Sequence, residues 1–233
     1  MRALLVRFYR LLKPVLGLPL RKGVHAFRRH VLGDTSELGE ATLARTLLDP
    51  AWPQWVVEVG ANDGRTNANA YPFIRRGWNA VLIEPNPTMF ARLQATMRRF
   101  PQARCVQAAC SDTSGTLTLR LFDQDEAGML SSLHSGPSRD GTTAVSEVAV
   151  RTEPLARLLD EHAVPKDFAL LSVDAEGHDL QVLRGLDLTR YRPHLIITEH
   201  DPTTDTEKHA LLEQHGYRPA ESTQLNTIWR RVR

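Results

Sequence analysis

The sequence predicts an α/β fold: a doubly wound, mostly parallel sheet closed by a C-terminal antiparallel hairpin and preceded by N-terminal helices. Three observations predict it. Short, largely apolar runs recur at residues 55–59, 80–83, 103–108, 168–173 and 195–197, and the β-branched Val56, Val57 and Val59 of the first suit a strand buried on both faces. Helix-like segments separate them, and strand–helix alternation makes neighbouring strands parallel. Several of these strands end in acids, and ligands of open α/β sheets bind at the carboxyl ends of strands.

Length and composition bound the rest. At 233 residues the chain suits one domain with a full core. Hydrophobic residues at 42% and charged residues at 24% exclude collagenous, disordered and multi-span membrane classes. The net charge of +2 hides an asymmetry: residues 1–33 hold eight of the 29 basic residues and no acid, which leaves 21 basic residues against 27 acidic ones in the body. Nucleic acid is a poor partner for that body, because phosphate binding needs clustered Lys and Arg. Cys105 and Cys110 form no Cys-x-x-Cys pair, which points to two buried thiols in a reducing compartment rather than a zinc site or a disulfide framework.

Residues 1–53 read as an N-terminal basic amphipathic and helical segment, and residues 54–233 as the main domain with a β and loop insertion around 115–151. Leu4, Leu5, Phe8, Leu11, Leu12, Val15 and Leu16 share one helical face opposite Arg7, Arg10 and Lys13. Two readings stay open for residues 1–20: a helix lying on anionic lipid, giving peripheral contact with the inner membrane face, or a helix packed over the domain. Arg7 and Arg10 interrupt the apolar run and no stretch is long enough to span a bilayer, so a cytoplasmic protein is expected. Residues 37–48 read as a helix.

The first strand ends in Glu58-Val-Gly-Ala-Asn-Asp-Gly. Gly60 permits a turn closed to other residues, Asn62 and Asp63 tolerate turn geometry, and Gly64 leaves room for a ligand beside the backbone. Gly60 and Gly64 lack the glycine between them that a dinucleotide loop uses to cradle a diphosphate. A helix is expected over residues 67–76. The second strand ends at Glu84-Pro85, about twenty residues on, where an acid accepts both ribose hydroxyls of a nucleoside. Residues 87–99 form the next helix. The third strand runs into Ser111-Asp112, where a side chain reaches an adenine amino group past small neighbours.

Period-two patterns at residues 116–122 and 145–151 suggest an antiparallel excursion, and the Gly, Ser and Pro-rich loop between them is long enough for a substrate lid. A helix over 154–162 leads to the fourth strand, whose end carries Asp174-Ala175-Glu176-Gly177-His178-Asp179. Polar side chains at alternate positions of a strand exit converge on one spot. The fifth strand ends in Thr198-Glu199-His200-Asp201, a second acid and histidine pair at the same edge. A helix over 207–215 and strands over 217–221 and 225–231 complete the sheet.

Six segments taken in order, Glu58-Val-Gly-Ala-Asn, Glu84-Pro, Ser111-Asp112, Ser131-Ser132-Leu133, Asp174-Ala-Glu-Gly and Asn226-Thr-Ile-Trp, resemble the FkbM family of class I S-adenosylmethionine-dependent methyltransferases. The resemblance runs from about Val56 to Arg230. It departs from the family at Glu58, where Asp is frequent, and at Ala175, where Val or a larger residue is frequent. It implies a Rossmann-like methyltransferase sheet. It also implies S-adenosyl-L-methionine as cofactor, held by Glu58, Gly60, Asn62, Asp63, Glu84, Ser111, Asp112 and Glu176. The acceptor it implies is a hydroxyl of a glycan or small molecule, beside Ser132 and His200. For catalysis, His178 is the favoured base, since its ordinary pKa is near neutral, with Asp174 and Glu199 orienting it or the acceptor. A rival arrangement, not favoured, has Asp174, Glu176 and Glu199 hold a divalent metal. Two further functions stay open: an NAD(P)-dependent sugar oxidoreductase, which Glu84 fits equally well, and a non-catalytic membrane-associated binding module.

Overall fold

A computed structural model describes residues 33–122 and 144–232; the expectations for residues 1–20 and for Ser132 fall outside them. The described chain runs α1 (Glu40–Leu47), β1 (Trp55–Val59), α2 (Tyr71–Ile74), β2 (Asn79–Ile83), α3 (Pro87–Met97), β3 (Ala103–Val106), β4 (Ala109–Ser111) and β5 (Gly115–Phe122). It resumes with β6 (Ala144–Pro154), α4 (Leu155–Glu161), β7 (Leu170–Val173), α5 (Asp179–Arg184), β8 (Leu195–Glu199), α6 (Asp205–Gln214), β9 (Tyr217–Ser222) and β10 (Asn226–Arg231).

Seven strands form one sheet in the order β3-β2-β1-β7-β8-β10-β9. The first five are parallel, while β10 lies antiparallel between β8 and β9. This is the doubly wound sheet and the C-terminal hairpin that the sequence predicts. The chain order reverses between β1 and β7, so the carboxyl ends of these neighbours open a crevice at the middle of the sheet.

Alternation along each strand divides the core into two layers. Val57, Val59, Val81, Ile83, Leu171, Val173 and Ile196 pack with Leu155 and Leu158 of α4, Val182 of α5 and Leu212 of α6. Val56, Ala80, Leu82, Leu170, Leu195 and Ile197 pack with Ala41 of α1, Phe73 of α2 and Leu93 of α3. Burying one such aliphatic side chain contributes about 1.5–3 kcal/mol. Packing of this kind, rather than helix propensity, is what holds a helix as short as α2.

Some boundaries differ from expectation. The helix expected over 67–76 is only Tyr71–Ile74, because Asn67 takes a left-handed φ of 54 and bridges to Ser36. The third strand stops at Val106, and β4 joins a separate small sheet ordered β4-β6-β5. There β5 and β6 pair antiparallel, as the period-two patterns predict. Helix α5 was not anticipated. Its C-cap Gly185 crosses β4 so closely that a Cβ would sit 2.0 Å from the Ser111 carbonyl oxygen. Among the described residues no helix is long and apolar enough to cross a membrane.

Candidate active site

The crevice at the strand ends is a cleft lined by Glu58, Gly60, Asn62, Glu84, Asp174, Glu176 and Glu199, all singled out from the sequence, together with Glu37, Asn67 and Asn69. Its floor is the β1 loop. Gly60 has a φ of +79, and a Cβ there would lie 1.8 Å from the Asp174 carbonyl oxygen. The Asp174 backbone N–H in turn donates to the Val59 carbonyl at 3.0 Å. Only glycine lets the β1 loop and the β7 exit meet this closely.

Two buried acids shape the loop. Glu58, 4% exposed, accepts from the backbone N–H of Asn69 at 2.6 Å and from that of Ala70 at 3.2 Å. Burial pushes its carboxyl up to about 7 against the pull of those two bonds. Glu58 thereby anchors the entry to α2. Glu84 accepts from Asn62 N–H through Oε2 and from Asn86 N–H through Oε1, both at 2.8 Å. It holds the turn of the β1 loop against the end of β2 while keeping its place in the cleft wall. Asn69 donates from Nδ2 to Ser172 Oγ at 3.0 Å, and its buried Oδ1 has no hydrogen-bond partner among the described residues.

The opposite wall is acidic. Asp174 is open to the cleft yet hemmed in by protein. Desolvation, then the charges of Glu199, Glu176, Asp179 and Glu37, hold its pKa well above the ordinary carboxylate value. Glu37, just ahead of α1, is itself raised by burial and by Glu40 and Glu199. Asp179, at the first turn of α5, accepts from Ala175 N–H at 2.9 Å and from Glu199 N–H at 3.1 Å, clamping the β7 and β8 exits together. Burial lifts its carboxyl to about 6, although the charge of Lys208 opposes this. Lys208 on α6 is completely buried. It donates to the Glu199 carbonyl and pairs with Asp205 at 3.0 Å.

Among the described residues, the other expected site residues, His178, Ser111, Asp112, Asp63 and His200, stand outside the cleft lining. His178 precedes α5, with Nε2 3.0 Å from Ser111 Oγ, and that hydroxyl donates to Asp112 at 3.3 Å. Ala108, Ala109 and Cys110, rather than Ser111 and Asp112, line the cleft at this end. Asp63 accepts from the N–H groups of Arg65 and Thr66 and from the Thr66 hydroxyl, so it builds the turn. His200 lies 3.7 Å from Asp205 and 3.4 Å from the Thr227 hydroxyl. Among the described residues no three His, Cys, Asp or Glu side chains are grouped to hold a metal ion.

Sequence reading missed Glu37, Asn69, Asp179 and Lys208 as parts of the site. Asp179 stood beside a quoted motif, and Asp205 and Lys208 are three residues apart on one helix; Glu37 and Asn69 reach the cleft only through tertiary contacts and carry no local signal.

Fold and cleft together define a doubly wound domain with an acid-walled ligand crevice at its topological switch point. The methyltransferase FkbM domain matches residues 58–219, most of the chain, and the chain belongs to that family. The hexuronic acid methyltransferase AglP of Haloferax volcanii is 29% identical over 199 residues, covering 81% of this chain and 73% of its own. Among solved structures, a methyltransferase from Geobacter sulfurreducens aligns over 97% of this chain and 98% of its own, at 13% identity and a TM-score of 0.48. Fibrillarin from Aeropyrum pernix, in complex with S-adenosyl-L-methionine, aligns over 82% and 73%, at 9% identity and a TM-score of 0.46.

Proposed function

We propose that this protein is an S-adenosylmethionine-dependent O-methyltransferase acting on a sugar hydroxyl of a glycan, glycolipid or natural product. The observation that carries the reading is the acidic lining of the cleft: Glu37, Glu58, Glu84, Asp174, Glu176 and Glu199 line it, and among the described residues no basic side chain does. Such a wall favours a cationic ligand and disfavours the diphosphate of a nicotinamide cofactor. The residues fit the methyl donor. Glu84 would take ribose hydroxyls, and Asn69 Oδ1, buried without a partner among the described residues, would accept from an ammonium group.

When bound, the cofactor supplies a methyl group on a positively charged sulfur. The chain must bring a hydroxyl in line with that methyl and accept its proton, which is largely a matter of positioning and one base. Asp174 is our candidate for the base. Its carboxyl lines the cleft, and its desolvation and acidic neighbours raise its proton affinity well above that of an ordinary carboxylate. Glu199 and Glu176 can accept from neighbouring sugar hydroxyls. His178, engaged with Ser111 outside the lining, takes second place to Asp174. The name of the Haloferax relative supports a sugar as acceptor class.

Incubation of labelled donor with glycan fractions tests the reading. The wild type labels a glycan; Asp174→Asn loses on the order of 10²- to 10⁴-fold in kcat while its affinity for S-adenosylhomocysteine is unchanged. Equal turnover by Asp174→Asn alongside a collapse in His178→Ala would return the base to His178. Absence of any labelled hydroxyl across the fractions, with label appearing on nucleic acid or protein instead, would contradict the acceptor class. For the basic face of residues 1–20, a peripheral membrane contact is supported by sequence, and liposome co-sedimentation with and without that segment tests it.

A further inference from the structure

A second recess opens beside α2 and the end of α3, on the sheet face that α1 also covers. Its wall carries Arg65, Arg75, Arg99, Tyr71, Asp63 and Thr66. Arg99 is fixed in place: Nη2 donates to the Tyr71 hydroxyl oxygen at 2.5 Å, and the guanidinium carbon lies 5.0 Å from the Phe100 ring centroid. Arg75 lies against Gly33, where a Cβ would sit 3.5 Å from Nη1. Among the described residues, none of these three guanidinium groups pairs with a carboxylate.

Among the described residues Asp63 is the one acid in the wall, and its oxygens are already engaged. Oδ1 accepts from Arg65 N–H at 2.8 Å and Thr66 N–H at 2.7 Å, and Oδ2 accepts from the Thr66 hydroxyl at 2.7 Å. Burial works against its charge, but the bonds from Thr66 and Arg65 outweigh it and hold the carboxyl below its usual range. Asp63 therefore supports the loop and leaves most of the positive charge uncompensated. Tyr71 accepts from Arg99, which leaves its own O–H proton for a further acceptor.

Like charges gathered in a concavity raise its potential, and an anion relieves it. Three guanidinium groups and a phenol offer more donors than the two oxygens of a carboxylate accept, whereas a tetrahedral oxyanion has acceptors facing every wall. We propose that this recess binds a phosphate group, carried by a soluble ester or by a lipid headgroup. Thr66 lines both this recess and the acid-walled cleft, so a phosphate held here lies alongside the β1 loop. The inference rests on the arginines alone and stands whether or not the cleft transfers methyl groups.

Calorimetric titration of the full chain with inorganic phosphate tests it. Saturable binding is expected, weakened about tenfold or more by Arg75→Gln, the loss of one charge-assisted contact, and less by Tyr71→Phe. An unchanged urea unfolding midpoint for both variants shows that the fold is intact. No saturable binding, equal binding by Arg75→Gln, or glucuronate or chloride binding as tightly as phosphate overturns the proposal. Vesicles of phosphatidylcholine with and without phosphatidic acid then identify the source. Phosphatidic-acid-dependent binding that Arg75→Gln removes assigns a lipid headgroup, and vesicle binding indifferent to Arg75→Gln assigns the recess to a soluble phosphate ester.

Discussion

Gly60 and the Asp174 carbonyl oxygen are so close that a Cβ on Gly60 would lie 1.8 Å from it. The contact joins the loop that shapes one wall of the cleft to the strand exit that supplies the acid of the other. Gly60→Ala must part β1 from β7 or distort a residue at φ +79. A loss of about 3 kcal/mol or more is expected, with S-adenosylhomocysteine binding lost in parallel. Denaturant titration and calorimetry on the variant check both, and a variant as stable as the wild type would contradict the contact.

Glu58 gives stability a pH dependence of defined sign. In the unfolded chain its carboxyl loses its proton near 4.5, whereas the folded protein holds that proton up to about 7. Between these values the folded state binds the extra proton, so stability falls as pH rises through the window and is level above it. The contribution is about 3 kcal/mol. Asp179, raised from 3.8 to about 6, acts in the same direction over an overlapping range. Glu58→Gln flattens the stability profile between pH 5 and 7, as urea unfolding at a series of pH values reads directly; an unchanged slope would show that Glu58 is ionised throughout.

Lys208 is the buried counter-charge behind the cleft, touching the Glu199 carbonyl and Asp205 and acting on Asp179. Lys208→Met keeps its length and removes its charge, which leaves Asp179 and Asp205 without their cation. Stability at neutral pH is expected to drop by about 3 kcal/mol, with the loss shrinking toward pH 5 as Asp179 takes up a proton. A loss within about 0.5 kcal/mol at every pH would match an exposed lysine instead.

What was legible in the sequence was what local pattern encodes. Residues 56–59, 80–83, 168–173 and 195–197 read as buried strands, and their exits placed Gly60, Glu84, Asp174 and Glu199 at one sheet edge, where the cleft is found. Residues 67–76 misled because helix onset there is decided at a distance: Glu58 captures the N–H groups of Asn69 and Ala70, and Ser36 pairs with Asn67. The same N-terminal segment brings Glu37 into the cleft, and nothing adjacent in sequence signals it. Lysine reads as a solvated residue, so the burial of Lys208 was invisible until α6 packed against the end of β8. His178 and Ser111, read as ends of two strands of one sheet, meet each other outside the cleft lining, because Ser111 lies in β4 of the small sheet.

The acidic lining of the cleft separates the two cofactor chemistries that Glu84 alone leaves open. Isothermal titration of the wild type and of Glu84→Gln with S-adenosylhomocysteine and with NAD addresses the central claim most directly. The account predicts saturable binding of S-adenosylhomocysteine, weakened about ten- to a hundredfold in Glu84→Gln, and no saturable binding of NAD to the acid-walled cleft. Binding of NAD in preference to S-adenosylhomocysteine would contradict it.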